Sequence, residues 1–378
     1  MQTFTDSSSY LWNRLILHLF FHDVHASAAL QKPPLTTLTE LKFGLPASRE
    51  LWMTKTATEW REIYLAQVPQ VYKKITLIDL LEDPDLLHTM KGYIDVHLCT
   101  TAILHGYWYQ IWALAESKSF YPASKTTHRL SLITSHRELY CDLLDLAGKI
   151  PSLTNNSPVA SLFSEFFMMV LHVPLADLQR FAGKFGEDEA REAYILFRTW
   201  SQTTEARVAV WHAGQVLKAA QDLGPTQLRG SNAIALYYSS LALWAYGLVT
   251  SNHPSSPTIA TSGNQQHGLV HFTRSTLNFP VFDVILNGNE TTQITIFKAS
   301  GKEIPGILSV DSPTKTAVFI PLKETDRILS NSRKIYQNNF PPSDDPLPSL
   351  VVNLVNLLKD LEHCRSNILS RAVSETPE

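Results

Sequence analysis

The chain has 378 residues, is 44% hydrophobic and 18% charged, and carries a formal net charge of −3. It is long enough to bury a large core, and length alone allows two or three domains of about 100–200 residues each. Basic residues cluster no further than pairs such as Lys73-Lys74 and Arg333-Lys334, which argues against the Lys/Arg stripe of a protein that grips a phosphate backbone.

From the N-terminus, residues 9–30 read as one amphipathic helix stopped by Pro33-Pro34, since proline removes a donor and forces its predecessor out of helical space. Thr56-Ala57-Thr58-Glu59 is a capping box opening a short helix through Trp60 and Tyr64. Asp83-Pro84 predicts a long helix to about Lys118, followed by a helix over 129–147 that stops at Gly148 and Pro151. Ser157-Pro158 starts another, over 159–171, and 174–182 is a short helix closed by Gly183. Residues 187–223 read as one helix with an acidic first turn, ended by Gly224-Pro225. Ser231-Asn232 caps a nearly all-apolar helix to Val249, the expected centre of the core.

Residues 251–268 are rich in Ser, Thr, Pro, Asn and Gly and predict a flexible polar loop. Residues 281–286 look like a short strand. The β-branched content of 291–299 favours strand, while Asn287–Asn289 could cap a helix there. Residues 338–348 read as a loop. The last helix, 349–370, aligns Leu350, Leu354, Leu357, Leu361 and Ile368 before a fraying tail at 371–378. No repeat period is evident. The expected class is all-α: an irregular, non-repeating multi-helix bundle with at most a few short strands near 281–300. Its expected divisions are a helical domain (1–250), a loop (251–278), an extension packed on that domain (279–370) and the tail.

Cys99, Cys141 and Cys364 are too few and too scattered for a disulfide framework or a cysteine zinc site, so a reducing compartment is expected. Polar residues fill most of the first nine positions and Arg14 interrupts the apolar stretch behind them, unlike a signal peptide. The apolar run 233–249 contains Ser239-Ser240 and falls short of the roughly 20 residues of a membrane span. A soluble intracellular protein without membrane contact is expected.

His18, His22 and His25 are the most metal-like cluster, with His18 and His22 one helical turn apart and Asp23 beside them. The zinc-hydrolase pattern H-E-x-x-H needs a Glu after the first His, and Leu19 stands there. The expectation is no metal, with these three as the candidates. Aromatic residues recur at helical spacing around Trp108 and Trp112 and around Tyr237 and Trp244. They read as core, or else as the wall of an apolar effector pocket anchored by His97, His105 and Asp95. No nucleophile elbow, Walker loop or dinucleotide fingerprint is present, and no enzyme is expected.

Several segments carry a family resemblance. Asp23 on the first helix, Lys32-Pro33-Pro34-Leu35, Leu45-Pro46, Leu51-Trp52 and Ala57-Thr58-Glu59-Trp60 resemble the regulatory, middle-homology domain of fungal zinc-finger transcription factors. In that family a Gly usually precedes the basic-Pro-Pro turn; here Gln31 stands in its place. His212-Ala213-Gly214-Gln215, Leu228-Arg229-Gly230 and Leu243-Trp244-Ala245-Tyr246-Gly247-Leu248 are similar to the family's later helices. So are Leu286-Asn287-Gly288, Asn339-Phe340 and Asn353–Leu361. The resemblance covers almost the whole chain and makes Thr291–Ala299 a helix. It implies structural roles for Asp23, Lys32, Pro33, Pro34, Trp52, Trp60, Trp244 and Gly247.

It further implies a nuclear regulatory and interaction domain in RNA polymerase II transcription. Its partners would be other transcription factors or co-regulators, or a second copy in a homodimer. The family's C2H2 fingers, sometimes beside a Zn2Cys6 cluster, have no counterpart here. Zinc and DNA contacts are therefore implied only for a missing finger segment, and the chain reads as the C-terminal part of such a factor. The alternatives are a finger-less scaffold that inhibits related factors, and a helical metal-dependent enzyme built on His18, His22 and His25.

Overall fold

The computed structural model describes residues 2–67, 75–120, 126–251, 282–310, 316–341 and 347–374. In chain order the helices are α1 (Gln2–Leu30), α2 (Arg49–Met53), α3 (Ala57–Gln67), α4 (Leu77–Glu82), α5 (Leu86–Thr89), α6 (Val96–Phe120) and α7 (Thr126–Thr154). Next come α8 (Pro158–His172), α9 (Leu175–Phe181), α10 (Glu187–Trp200), α11 (Thr204–Gln221) and α12 (Ser231–Ser251). The remainder holds β1 (Asp283–Ile285), α13 (Thr292–Ser300), β2 (Ile304–Val310), β3 (Ala317–Pro321), α14 (Thr325–Asn339) and α15 (Ser349–Ser374). The class is all-α, with one small sheet.

One apolar core runs from Leu17 on α1 to Leu361 on α15. Its centre is α12, whose residues 233, 235, 236, 238–249 are all buried. That helix is long and apolar enough to cross a membrane, yet 89% of its apolar window is buried inside the protein, so its composition is that of a core helix. The C-terminal segment closes over α11 and α12. β1 and β2 are parallel, which demands a crossover, and α13 supplies it; β3 then returns antiparallel. The buried Arg207 of α11 donates to the last carbonyls of α13, Lys298 at 2.9 Å and Ala299 at 3.0 Å, placing a cation at the negative end of that helix.

Several boundaries differ from the sequence expectation. The helix expected from Asp83 is broken: α5 ends at Thr89, Gly92 takes φ +97°, and α6 restarts behind Asp95, whose carboxylate accepts from Leu98 N at 3.1 Å. Helix α7 does not stop at Gly148 but runs through Pro151, ending at Thr154 before two asparagines with φ +50° and +59°. The expected helix 187–223 is two. Thr203 accepts from Ala206 N at 3.1 Å and starts α11 afresh. Thr291 likewise caps α13, so 291–299 is helix, as the resemblance implies, and Gly301 closes it at φ +66°.

Strands β2 and β3 lie beyond the 281–300 window expected for them. Among the described side chains of α15, Val351, Leu354, Leu358 and Leu361 are buried while Leu350 and Leu357 are exposed, so the buried stripe is turned from the one expected; Ile368 lies outside them. The helix also continues to Ser374, past the start of the expected tail. The polar loop 251–268 falls almost wholly outside the described residues.

Candidate functional site

Helices α8 and α11 each carry a glutamate and a histidine seven residues apart: Glu165 and His172 on α8, Glu205 and His212 on α11. Seven residues are close to two turns, so both members of each pair share one helix face. The helices run antiparallel, and the pairs cross over. His212 Nδ1 donates to Glu165 Oε2 at 2.6 Å, and His172 Nδ1 donates to Glu205 Oε2. Helix α7 lies across both pairs with two residues one turn apart. Tyr140 Oη is 2.9 Å from His212 Nε2, and with His212 Nδ1 committed to Glu165 the hydroxyl donates to it. His136 Nε2 sits 3.1 Å from the Leu171 carbonyl and 3.3 Å from Glu205 Oε2.

The array is largely buried, with Glu205 at its rim and its side chain 50% exposed. The ring of His172 meets His136 edge-on at 4.8 Å and Tyr140 at 4.7 Å, and stacks on His212 at 6.4 Å. Burial lowers His172 to about 4 against the opposing pull of Glu205. Burial, with the charge of Lys118, also lowers His136. Burial raises Glu205, but His172, His136 and Lys118 outweigh it and hold the carboxyl below its ordinary value. The resting state at neutral pH is two neutral imidazoles against one carboxylate. Nε2 of His172 is buried without a hydrogen-bond partner. Among the described residues, His136, His172 and Glu205 are the group of metal-capable side chains that come together, their donor atoms within 4.8 Å of one another.

The histidines singled out from sequence behave differently. His18 and His22 are exposed on α1. His25 turns inward, and its Nε2 meets His105 Nε2 at 2.8 Å among Phe21, Phe163 and Phe167. Since His105 Nδ1 faces the Thr101 carbonyl at 2.7 Å, its Nε2 accepts and His25 donates. Burial, with His22 nearby, lowers His25 to about 4, and burial with His25 lowers His105 to about 3. The three N-terminal histidines therefore do not converge on one point.

Of the expected effector wall, Trp108 packs against Trp112 and Phe167 and donates to Ser27 Oγ at 2.9 Å. Trp244 lies on Phe181, Tyr237 lies against Tyr238, and His97 is half-buried on α6. Asp95 is held by Arg14 at 2.7 Å. Of these side chains, His105 and Trp108 both pack on Phe167, while Trp244 and Tyr237 pack on other partners.

The segments that carry the family resemblance meet in pairs. Asp23 accepts from Leu35 N at 3.0 Å, Thr36 N at 2.8 Å and the Tyr109 hydroxyl at 3.1 Å, tying the end of the Lys32-Pro33-Pro34 turn to α1 and α6. Gln31 opens that turn at φ +54°, the left-handed conformation that a glycine adopts freely. Trp52 covers the Arg14 guanidinium at 4.7 Å, and Trp60 stacks on Tyr64. A Cβ on Gly214 would lie 2.5 Å from the Leu286 backbone, and Gln215 Nε2 donates to Leu286 O at 2.7 Å and Gly288 O at 2.9 Å. Asn339 accepts from Leu228 N at 2.8 Å and donates to Gly224 O at 3.0 Å. A Cβ on Gly247 would stand 1.9 Å from Leu322 O.

Comparison with protein-family models, curated proteins and solved structures finds no match. The Glu/His array was missed at the sequence level. Its signal is the repeated Glu-x₆-His in 165–172 and 205–212, which gains meaning only once α11 starts at Thr204 and packs antiparallel to α8.

Proposed function

We propose that the chain is the regulatory and interaction domain of a fungal DNA-binding transcription factor, acting in the nucleus on RNA polymerase II transcription. DNA contact would belong to zinc fingers that these residues do not include, and partners to other factors or co-regulators. The observation that carries the reading is the pairwise meeting of its motif segments. Gly214-Gln215 meets Leu286–Gly288 and Leu228 meets Asn339, across 71 to 111 residues of sequence. Short motifs matched by coincidence have no reason to seat one another. A helical domain of this kind regulates by holding two packings whose balance an effector shifts through differential affinity.

The test is a fusion of the whole chain to a heterologous DNA-binding domain, read on a reporter, together with nuclear occupancy of the native protein. The expected result is nuclear enrichment and a severalfold reporter change in either direction. Absence of both overturns the reading.

A second reading, a scaffold that pairs with related factors, is favoured by one observation. Leu11, Trp12, Leu15 and Leu19 form an exposed apolar stripe on α1, between 46% and 60% exposed. Co-purification of a related factor, lost on Leu15→Glu with Leu19→Glu, would favour this reading over the first.

A further inference from the structure

We propose that His136, His172 and Glu205 bind a single divalent transition-metal ion of zinc-like chemistry, joining α7, α8 and α11 through one centre. The inference goes beyond the transcriptional reading and does not depend on it.

Three donors from three helices converge here. Two imidazole nitrogens and a carboxylate oxygen form the donor set that borderline-soft ions accept, with a fourth position left for water. Hard cations such as Mg²⁺ and Ca²⁺ prefer all-oxygen shells and are disfavoured. Bonds of about 2.0–2.2 Å at tetrahedral angles place donors about 3.3 Å apart. His136 Nε2 and Glu205 Oε2 stand at 3.3 Å and the whole set lies within 4.8 Å, while His172 Nδ1 hydrogen-bonds Glu205 Oε2 directly and that contact opens to admit an ion. Glu205 belongs to the first turn of α11 and is half-exposed, so the adjustment that remains falls on the most mobile donor.

One further feature favours an ion over a closed hydrogen-bond cluster. Nε2 of the buried His172 is left without a partner, an imidazole nitrogen that the hydrogen bonds of the array do not satisfy. The surroundings also suit it. Tyr140 and His212 pack the His172 ring, Glu165 anchors His212 from behind, and the Leu171 carbonyl holds His136 Nε2 at 3.1 Å. Ligation takes neutral imidazoles and an ionised carboxylate, and the protons that His136 Nε2 and His172 Nδ1 now direct at Glu205 pass to the opposite ring nitrogens as the ion enters. Lys118, exposed on α6, is the nearby charge that opposes the ion.

The test uses the full chain, stripped with a chelator and titrated with Zn²⁺ by calorimetry and with Co²⁺ in the visible. The expected result is one ion per chain, with tetrahedral Co²⁺ bands and a thermal transition raised by Zn²⁺ but not by Mg²⁺. Glu205→Gln and His136→Gln should each weaken Zn²⁺ binding beyond the roughly 10- to 100-fold caused by changes outside the ligand shell, with the helical circular dichroism retained. His22→Gln should leave binding unchanged. X-ray absorption of the zinc-loaded wild-type chain supplies a readout that needs no variant: imidazole and oxygen scatterers without sulfur are expected. No stoichiometric site, wild-type affinity in both variants, loss of binding on His22→Gln, or a sulfur- or oxygen-only shell would each overturn the proposal.

Discussion

Gly247 and Gly148 both sit inside long helices, yet their surroundings give opposite expectations. A Cβ at Gly247 would land on the Leu322 carbonyl, whereas one at Gly148 meets nothing within 4 Å. Forcing atoms into a closed contact costs about 1–3 kcal/mol or more. Replacing an unencumbered helical glycine by alanine gains about 0.5–1 kcal/mol by reducing unfolded-state freedom. Urea unfolding should therefore show Gly247→Ala destabilised by at least about 2 kcal/mol and Gly148→Ala slightly stabilised; equal effects would mean that the approach of Leu322 to α12 is wrong. The sequence marked Gly247 as a motif position, but nothing in it named the carbonyl 75 residues away that forbids a side chain.

The contact between α1 and α6 is a ladder of polar pairs set in aromatic packing: Asp23 with Tyr109, His25 with His105, and Ser27 with Trp108. Its titration has a definite sign. Burial holds both histidines below the ordinary imidazole value of 6.5, His25 at about 4 and His105 at about 3. The unfolded chain thus binds the extra proton first. Stability from keeping the pair neutral is fully present above about pH 6.5. It declines as the pH falls toward 4, by up to about 1.4 kcal/mol per pH unit for each proton, and levels off below the folded values. Urea unfolding at pH 7, 5.5 and 4.5 should give a steep acid limb in the wild type and a shallower one in His105→Phe; parallel limbs would contradict the pairing.

At this scale the sequence was legible at Ser157-Pro158 and at the Thr56–Glu59 capping box, but not at Asp83-Pro84, where the same cap-and-proline signal opens only the short α5. It failed where a cap stood alone inside a periodic run. Thr203 ends nothing by composition, yet it starts the helix that carries Glu205. Pro151 had the reverse effect, since the long α7 tolerates the one hydrogen bond it lacks.

The continuity of the core gives the molecule its mechanical character. Residues from α1 to α15 share one apolar interior, and the C-terminal segment is tied back by Asn339, whose side chain bonds Leu228 N and the Leu223 and Gly224 carbonyls. Asn339→Ala leaves a buried N–H without its acceptor, worth about 1–3 kcal/mol. Because the core is shared, hydrogen exchange should quicken in α6 as well as in α14. Faster exchange confined to α14 would mean that the segment opens on its own. The sequence set a helical domain over 1–250 and an extension over 279–370 expected to pack on it, with a polar stretch between them. Which residues join the two depends on tertiary contacts that composition does not encode. The fold class was legible from periodicity alone, whereas the Glu/His array needed the packing of helices distant in the chain.

The crossed pairs of α8 and α11 also constrain how these helices move. Glu165–His212 and His172–Glu205 sit two turns apart, about 10.5 Å along the shared axis at 1.5 Å per residue. Apolar side chains elsewhere in the interface tolerate small axial slips, but a slip of one residue would unseat both pairs together. The two pairs therefore fix the register of α8 against α11 together: neither can be lost to axial displacement without the other.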